Sequence, residues 1–260
     1  MKKKYDIHEM YQDSVQCVEA EIDFVESTYK DIRGNSARFL REDFSGTGQT
    51  ACEWLKRHKN NRSWAIDLDS EVLKWGIDNL QSKLEEPNRL VYLESDVRNS
   101  GIKNMDIVLA MNFSYFLFME RKTLKDYFAS VLHSLEETGV FFLDAFGGYE
   151  AAKELKEERE CDGFTYIWDQ AMFDPITSQM QCYIHFKTDE GVEFNRAFSY
   201  YWRLWTLPEL QELLIEAGFS QVDIYWEGTD EETGEGDGIF NIAKKGTADA
   251  GWVCYIVALP

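Results

Sequence analysis

Two glycines and three acidic residues, each at the end of a short apolar run, set the chemistry available to the first hundred residues. The segment Arg41-Glu42-Asp43-Phe44-Ser45-Gly46-Thr47-Gly48-Gln49-Thr50-Ala51 places Gly46 and Gly48 between an apolar run and a helical pattern. Glycine lets the backbone approach a ligand closely, and the first turn of the following helix offers unpaired N–H groups. Asp67 ends the run Trp64-Ala65-Ile66-Asp67, nineteen positions after Gly48. A carboxylate so placed can accept from both hydroxyls of a ribose. Asp96, in Glu94-Ser95-Asp96-Val97, can accept from an adenine amino group. Together these residues predict an adenosine-containing ligand. The glycine spacing also meets the dinucleotide fingerprint, so NAD is the competing ligand. Against it, Glu42 and Asp43 would repel a pyrophosphate, whereas they suit an ammonium or a sulfonium-bearing amino acid.

Acceptor chemistry points to later segments. The fourth apolar run ends Ala110-Met111-Asn112-Phe113-Ser114-Tyr115, at the carboxyl edge where open α/β sheets bind ligands. This places Asn112 and Tyr115 near a reaction centre. Beyond residue 160, alternating segments put Tyr166 and Trp168 on one face, Tyr183 and His185 on another, and Arg196, Tyr200 and Trp202 on a third. Aromatic faces of this kind bind cations as readily as they pack. Tyr115 and His185 are the candidate general bases. The five cysteines and four histidines form no metal-ligand spacing, so no metal is expected.

The elements that must hold these groups alternate strand with helix: strand 37–43, helix 48–59, strand 63–68, helix 70–85, strands 90–95 and 105–111, helix 120–137 closed by Gly139, strand 139–145. Such alternation predicts an α/β fold with a parallel sheet and right-handed crossovers. The period then changes to two over 164–173, 179–187 and 192–205, predicting an antiparallel insertion. A capping box at Thr206 and Glu209 restarts a helix. Strands at 219–226 and 251–258 flank an acidic, glycine-rich stretch, 227–238, expected to be a mobile loop. A single helix is expected over about 6–30.

The ordered set Asp43, Gly46, Gly48, Asp67 and Asp96 resembles class I S-adenosylmethionine-dependent methyltransferases. The resemblance covers about 37–145 and 206–258, with Gln49, Thr50 and Ala51 where the family usually has a third glycine. It implies a Rossmann-like sheet of seven strands, the last antiparallel, with helices on both faces. It also implies one domain over 1–260, a helical cap over 1–35 and an antiparallel β lid over 161–205. On that likeness S-adenosylmethionine is the cofactor. Asp43, Gly46 and Gly48 would surround its methionine part, Asp67 its ribose, and Asp96, Val97 and Leu68 its adenine. Arg41 and Asn112 would complete the site, and Tyr11 and Gln16 would close over it from the cap. Asn112 to Tyr115 matches in position the N-P-P-Y motif of amino-group methyltransferases acting on nucleic acids, with both prolines replaced. The inserted strands resemble the lid of N-methyltransferases for glycine and amino sugars, which implies a small-molecule acceptor, N-methylation, and substrate contacts from Trp168, Arg196, Tyr200 and Trp202. A non-catalytic cofactor-binding subunit or an NAD-dependent oxidoreductase are the alternative functions.

Composition narrows the partners. A formal charge of −20 opposes a phosphate backbone, since nucleic-acid affinity comes from Lys and Arg displacing counterions. The 44% hydrophobic content supports a full core, and no apolar run reaches eighteen residues. The polar start, Met1-Lys2-Lys3-Lys4-Tyr5-Asp6, is not a secretory h-region. The expectation is a cytoplasmic protein.

Overall fold

The computed structural model describes residues 5–15, 17–230, 233–234 and 236–260. Five parallel strands form its centre: β1 (Phe39–Asp43), β2 (Arg62–Asp67), β3 (Leu90–Glu94), β4 (Met105–Ala110) and β5 (Leu135–Gly147). With β10 (Gln221–Thr229), β11 (Gly236–Ile242) and β12 (Trp252–Leu259) they make one sheet, ordered β11-β10-β12-β5-β4-β1-β2-β3. The order reverses between β1 and β4, which opens the carboxyl edge of the sheet there. Alternate residues of the buried strands serve two cores. Leu40, Ile107, Leu109 and Phe142 face α2 (Val18–Arg33) and α3 (Gln49–Arg57), while Val108, Phe141 and Leu143 face α5 (Arg121–Ser134) and α6 (Leu207–Ala217).

The sheet has eight strands where seven are expected, and two of them, β12 and β11, run opposite to the other six. The extra strand comes from the acidic stretch expected to be a loop. Its glycines read as breakers, but they make room for a carboxylate: a Cβ on Gly236 would lie 2.4 Å from the Glu227 carboxyl carbon. Other boundaries moved for local reasons. The expected helix 6–30 divides into α1 (Ile7–Val15) and α2, and α2 ends on Gly34 at φ 72°. Helix α5 stops at Ser134 because Leu135 already pairs with Met105, so Gly139 lies inside β5. Helix α4 (Ser70–Asn79) starts where the Asp69 carboxylate accepts from the Glu71 and Val72 amides. The capping box at Thr206 and Glu209 forms as expected.

Between β5 and α6 stands a second, antiparallel sheet: β6 (Leu155–Cys161), β7 (Phe164–Asp174), β8 (Gln179–Thr188) and β9 (Glu193–Arg203). It begins six residues earlier than the expected 161. The reason is that β6 reads Leu-Lys-Glu-Glu-Arg-Glu-Cys, an exposed charged edge strand without apolar alternation. Met180, Cys182, Ile184 and Phe186 of β8 face the body and are buried. Among the described residues, no helix is long and apolar enough to cross a membrane.

Candidate active site

At the carboxyl edge of β1, β2 and β3, a cavity of about 480 Å³ is bounded by the glycine loop, α1 and the inserted sheet, within the range of small-molecule sites. Asp67 stands at its wall. One carboxylate oxygen accepts the Gly46 amide at 2.8 Å and the other the Asp69 amide at 3.0 Å, so the side chain is fixed while each oxygen keeps a lone pair for a hydroxyl donor. Leu68 is 69% exposed beside it, an apolar face available to a flat ring. Asp96 and Val97 complete that end, with Asp96 held by the Arg98 guanidinium at 2.6 Å. Tyr11, Asp43, Gly46 and Asn112 also line this cavity.

A second cavity of about 540 Å³ lies between the inserted sheet and the ends of β5, β10 and β12. Trp168 is on its wall, as are Tyr166 and Trp252. Tyr11, Asn112, Tyr200 and Trp202 line both cavities, and so mark the boundary where a passage between them would run. Each has an identifiable support. The Tyr11 and Tyr200 hydroxyls neighbour each other, bringing α1 against β9. Trp202 lies 4.5 Å from Tyr200, centroid to centroid. Asn112 and Phe113 are both left-handed, at φ 57°, and the Asp144 carboxylate accepts their amides at 2.8 and 2.9 Å. A non-glycine residue held in that region is a strained position maintained by its surroundings.

Other expected site residues lie elsewhere. Arg41 and Gly48 line neither of these two cavities. The Arg41 guanidinium makes a bidentate pair with Asp43, at 2.7 Å for both bonds, and also donates to the Val97 carbonyl. It is a buried brace, and Asp43 is further tied by the Tyr127 hydroxyl at 2.9 Å. Gly48, at φ 73°, turns its Cα toward the Tyr92 ring, 2.8 Å from where a Cβ would stand. Tyr115 is fully buried, and its hydroxyl donates to the Asp144 carbonyl. That burial also pushes its pKa far up, so it is not a base at the passage. His185 lies on the opposite face of the inserted sheet. Its Nδ1 accepts from the Arg196 amide and its Nε2 bonds Asp169, so both nitrogens are engaged. Arg196 sits at a bulge in β9 with φ 53°, and the guanidinium covers the Tyr183 ring on that same face. Gln16 lies outside the described residues.

Several buried acids surround the site. Glu42, on the wall of the first cavity, accepts the Ala51 amide at 2.8 Å, and burial pushes its pKa up to about 8. Burial likewise raises Glu21 and Asp144 to about 7 each, with Asp144 adding charge repulsion at Glu21. One oxygen of Glu21 is buried with no hydrogen-bond partner. Tyr11 is raised to about 12 by burial, and Tyr200 well above its ordinary value for the same reason. The two tyrosines at the passage therefore stay protonated at neutral pH. The sequence reading missed Asp144, whose role depends on a contact between β5 and the turn after β4, and also Gln12, which donates to Thr47 in the glycine loop at 2.7 Å. Helical spacing on α1 marked Tyr11 only through family likeness.

A Rossmann-like sheet with these strand positions, carrying an inserted antiparallel sheet above its carboxyl edge, is the fold of class I S-adenosylmethionine-dependent methyltransferases. Solved structures share it across nearly their full lengths. An S-adenosylmethionine-dependent methyltransferase from Clostridium acetobutylicum is 18% identical with a TM-score of 0.71, over 97% of each chain. The amino pentose methyltransferase CalS10 from Micromonospora echinaspora, solved with S-adenosylmethionine bound, is 15% identical with a TM-score of 0.69, over 100% of this chain and 99% of that one. The sugar N-methyltransferase KedS8 from Streptoalloteichus is 14% identical with a TM-score of 0.67, over 98% and 92%. No family model and no curated protein sequence matches this chain.

Proposed function

We propose that this chain is an S-adenosylmethionine-dependent enzyme that methylates nitrogen on a small acceptor. The observation that carries the reading is the pair of cavities sharing Tyr11, Asn112, Tyr200 and Trp202 in their walls. A non-catalytic sensor needs only the first cavity, whereas group transfer needs two that meet. The residues present fit the cofactor. Asp67 would hold the ribose, Leu68 would cover the adenine, and Asp96 with Val97 would meet its edge. Glu42 and Asp43 would face the ammonium and sulfonium. Neighbours named as amino pentose and sugar N-methyltransferases support nitrogen as the acceptor atom.

Bound in this cavity, the cofactor supplies an electrophilic methyl carbon on a sulfonium. The protein contributes placement. Asp144 fixes the Asn112–Phe113 turn, α1 and β9 close the passage through their tyrosine pair, and the aromatic wall keeps water from the acceptor nitrogen. Orientation alone supplies up to about 7–11 kcal/mol of barrier reduction. A neutral amine then needs no base for the transfer.

Calorimetric titration with S-adenosylmethionine, S-adenosylhomocysteine and NAD, with Asp67→Ala alongside, tests the reading. The expected outcome is saturable binding of both sulfur ligands, lost in the variant. Binding of NAD without heat from either sulfur ligand overturns it.

A further inference from the structure

The second cavity has a charge pattern that says more about its occupant than size does. Its lining includes Glu150, Glu157 and Glu227 but, among the described residues, no lysine, arginine or histidine. Glu150 is paired with Lys153 at 2.8 Å. Glu157 and Glu227 have no cationic partner among the described residues; Glu227 accepts only a backbone amide, from Gly238 at 3.1 Å. None of the three lines the first cavity. They belong to the part of the second cavity that the acceptor's non-reacting end would occupy once its nitrogen is at the passage. Tyr166, Trp168 and Trp252 are among the other residues of its wall, and such aromatic faces attract cations. Glu21 and Asp144 add negative potential at Tyr11 from behind the passage. A phosphate, a nucleoside diphosphate or a carboxylate brought here would meet uncompensated repulsion and no donor side chain able to pair with it.

Resting on the methyl-transfer reading above, we infer that the acceptor is a compact amine bearing at least one further positive charge and no phosphate or carboxylate. The reacting nitrogen arrives neutral, its proton having gone to solvent. Its lone pair forms the new N–C bond as the C–S pair passes to sulfur, giving a methylammonium and a neutral thioether. The second charge remains between Glu157 and Glu227 throughout.

The test compares matched pairs, 1,4-diaminobutane against 4-aminobutyrate and glucosamine against glucosamine 6-phosphate. Binding is titrated into protein saturated with S-adenosylhomocysteine, and methyl transfer is measured with labelled S-adenosylmethionine. The diamine should be favoured over the amino acid by about tenfold or more, since its second charge gains two carboxylate partners where the amino acid's carboxylate is repelled. Glucosamine should likewise exceed its phosphate. The Glu157→Gln/Glu227→Gln double variant, which keeps the Gly238 hydrogen bond, should erase most of both preferences and leave S-adenosylhomocysteine affinity unchanged. Equal or greater binding of the anionic member, no binding of 1,4-diaminobutane, or an unchanged preference in the variant overturns the inference while the cofactor reading stands. Failure of S-adenosylhomocysteine to bind defeats the underlying reading instead.

Discussion

Glu42 should make cofactor affinity depend on pH in a direction opposite to the one usual for carboxylates. Its folded pKa is about 8, raised by burial and then by Glu21 and Asp67, so at neutral pH it is largely a neutral acid. A ligand carrying a sulfonium and an ammonium favours the ionised form, and binding therefore expels a proton. Each proton released makes Kd fall tenfold per pH unit below that pKa, about 1.4 kcal/mol per unit. From about pH 6 to about pH 8 the dissociation constant should drop on the order of a hundredfold and then level off. The same shift sets the unliganded protein's stability. Because the folded pKa lies above the ordinary 4.5, the stabilisation from holding Glu42 neutral is complete below that value. It is lost as pH rises toward 8. Calorimetry at three pH values, in two buffers of different ionisation heat, counts the protons directly. Glu42→Gln keeps an acceptor for the Ala51 amide and removes the titration, so its pH slope should be shallower by one proton. The ligand's own ammonium titrates equally against both proteins and cancels. Identical slopes in wild type and Glu42→Gln would refute the reasoning.

Other substitutions separate binding from bracing. Asp67→Asn leaves one carbonyl for the two backbone amides that Asp67 now satisfies, and should weaken S-adenosylhomocysteine binding about thirtyfold, a loss of about 2 kcal/mol, read by calorimetry. Arg41→Met leaves the Asp43 carboxylate buried without its counter-charge and should cost about 3–5 kcal/mol of stability in urea unfolding. Tyr11→Phe and Tyr200→Phe should each weaken cofactor binding modestly, with a coupling of about 1 kcal/mol in the double-mutant cycle; strict additivity would deny the link between α1 and β9. His185→Phe should leave the rate of methyl transfer within about twofold, because both its nitrogens are engaged on the far face; a loss on the order of a hundredfold would restore it as a general base.

What the sequence disclosed was local in origin. The glycine loop, Asp67 and the capping box at Thr206 rest on residues a few positions apart, so their geometry follows from strand, turn and helix chemistry alone. Arg41 shows a reading that local chemistry also allowed but that charge obscured. On a strand, residues two apart share a face, so Arg41 and Asp43 were positioned to pair with each other before any ligand. His185 and Arg196 were assigned to correct strands, yet alternation says which residues share a face and not which face is covered. A bulge at Arg196 then settled the matter in a way no periodicity reports. Strand β6 was illegible because its central residues are all charged, and β11 because its glycines serve the Glu227 carboxylate. Asp144 required knowing that β5 passes beside the turn after β4.

Helix α1 is only nine residues long, yet it is fastened on three sides: to the glycine loop through Gln12 and Thr47, to α4 through Asp6 and Trp75, and to the inserted sheet through Tyr11 and through Arg159, which donates to the Ser14 carbonyl. It therefore belongs to the wall of both chambers at once. Any movement of this helix therefore reshapes both chambers together.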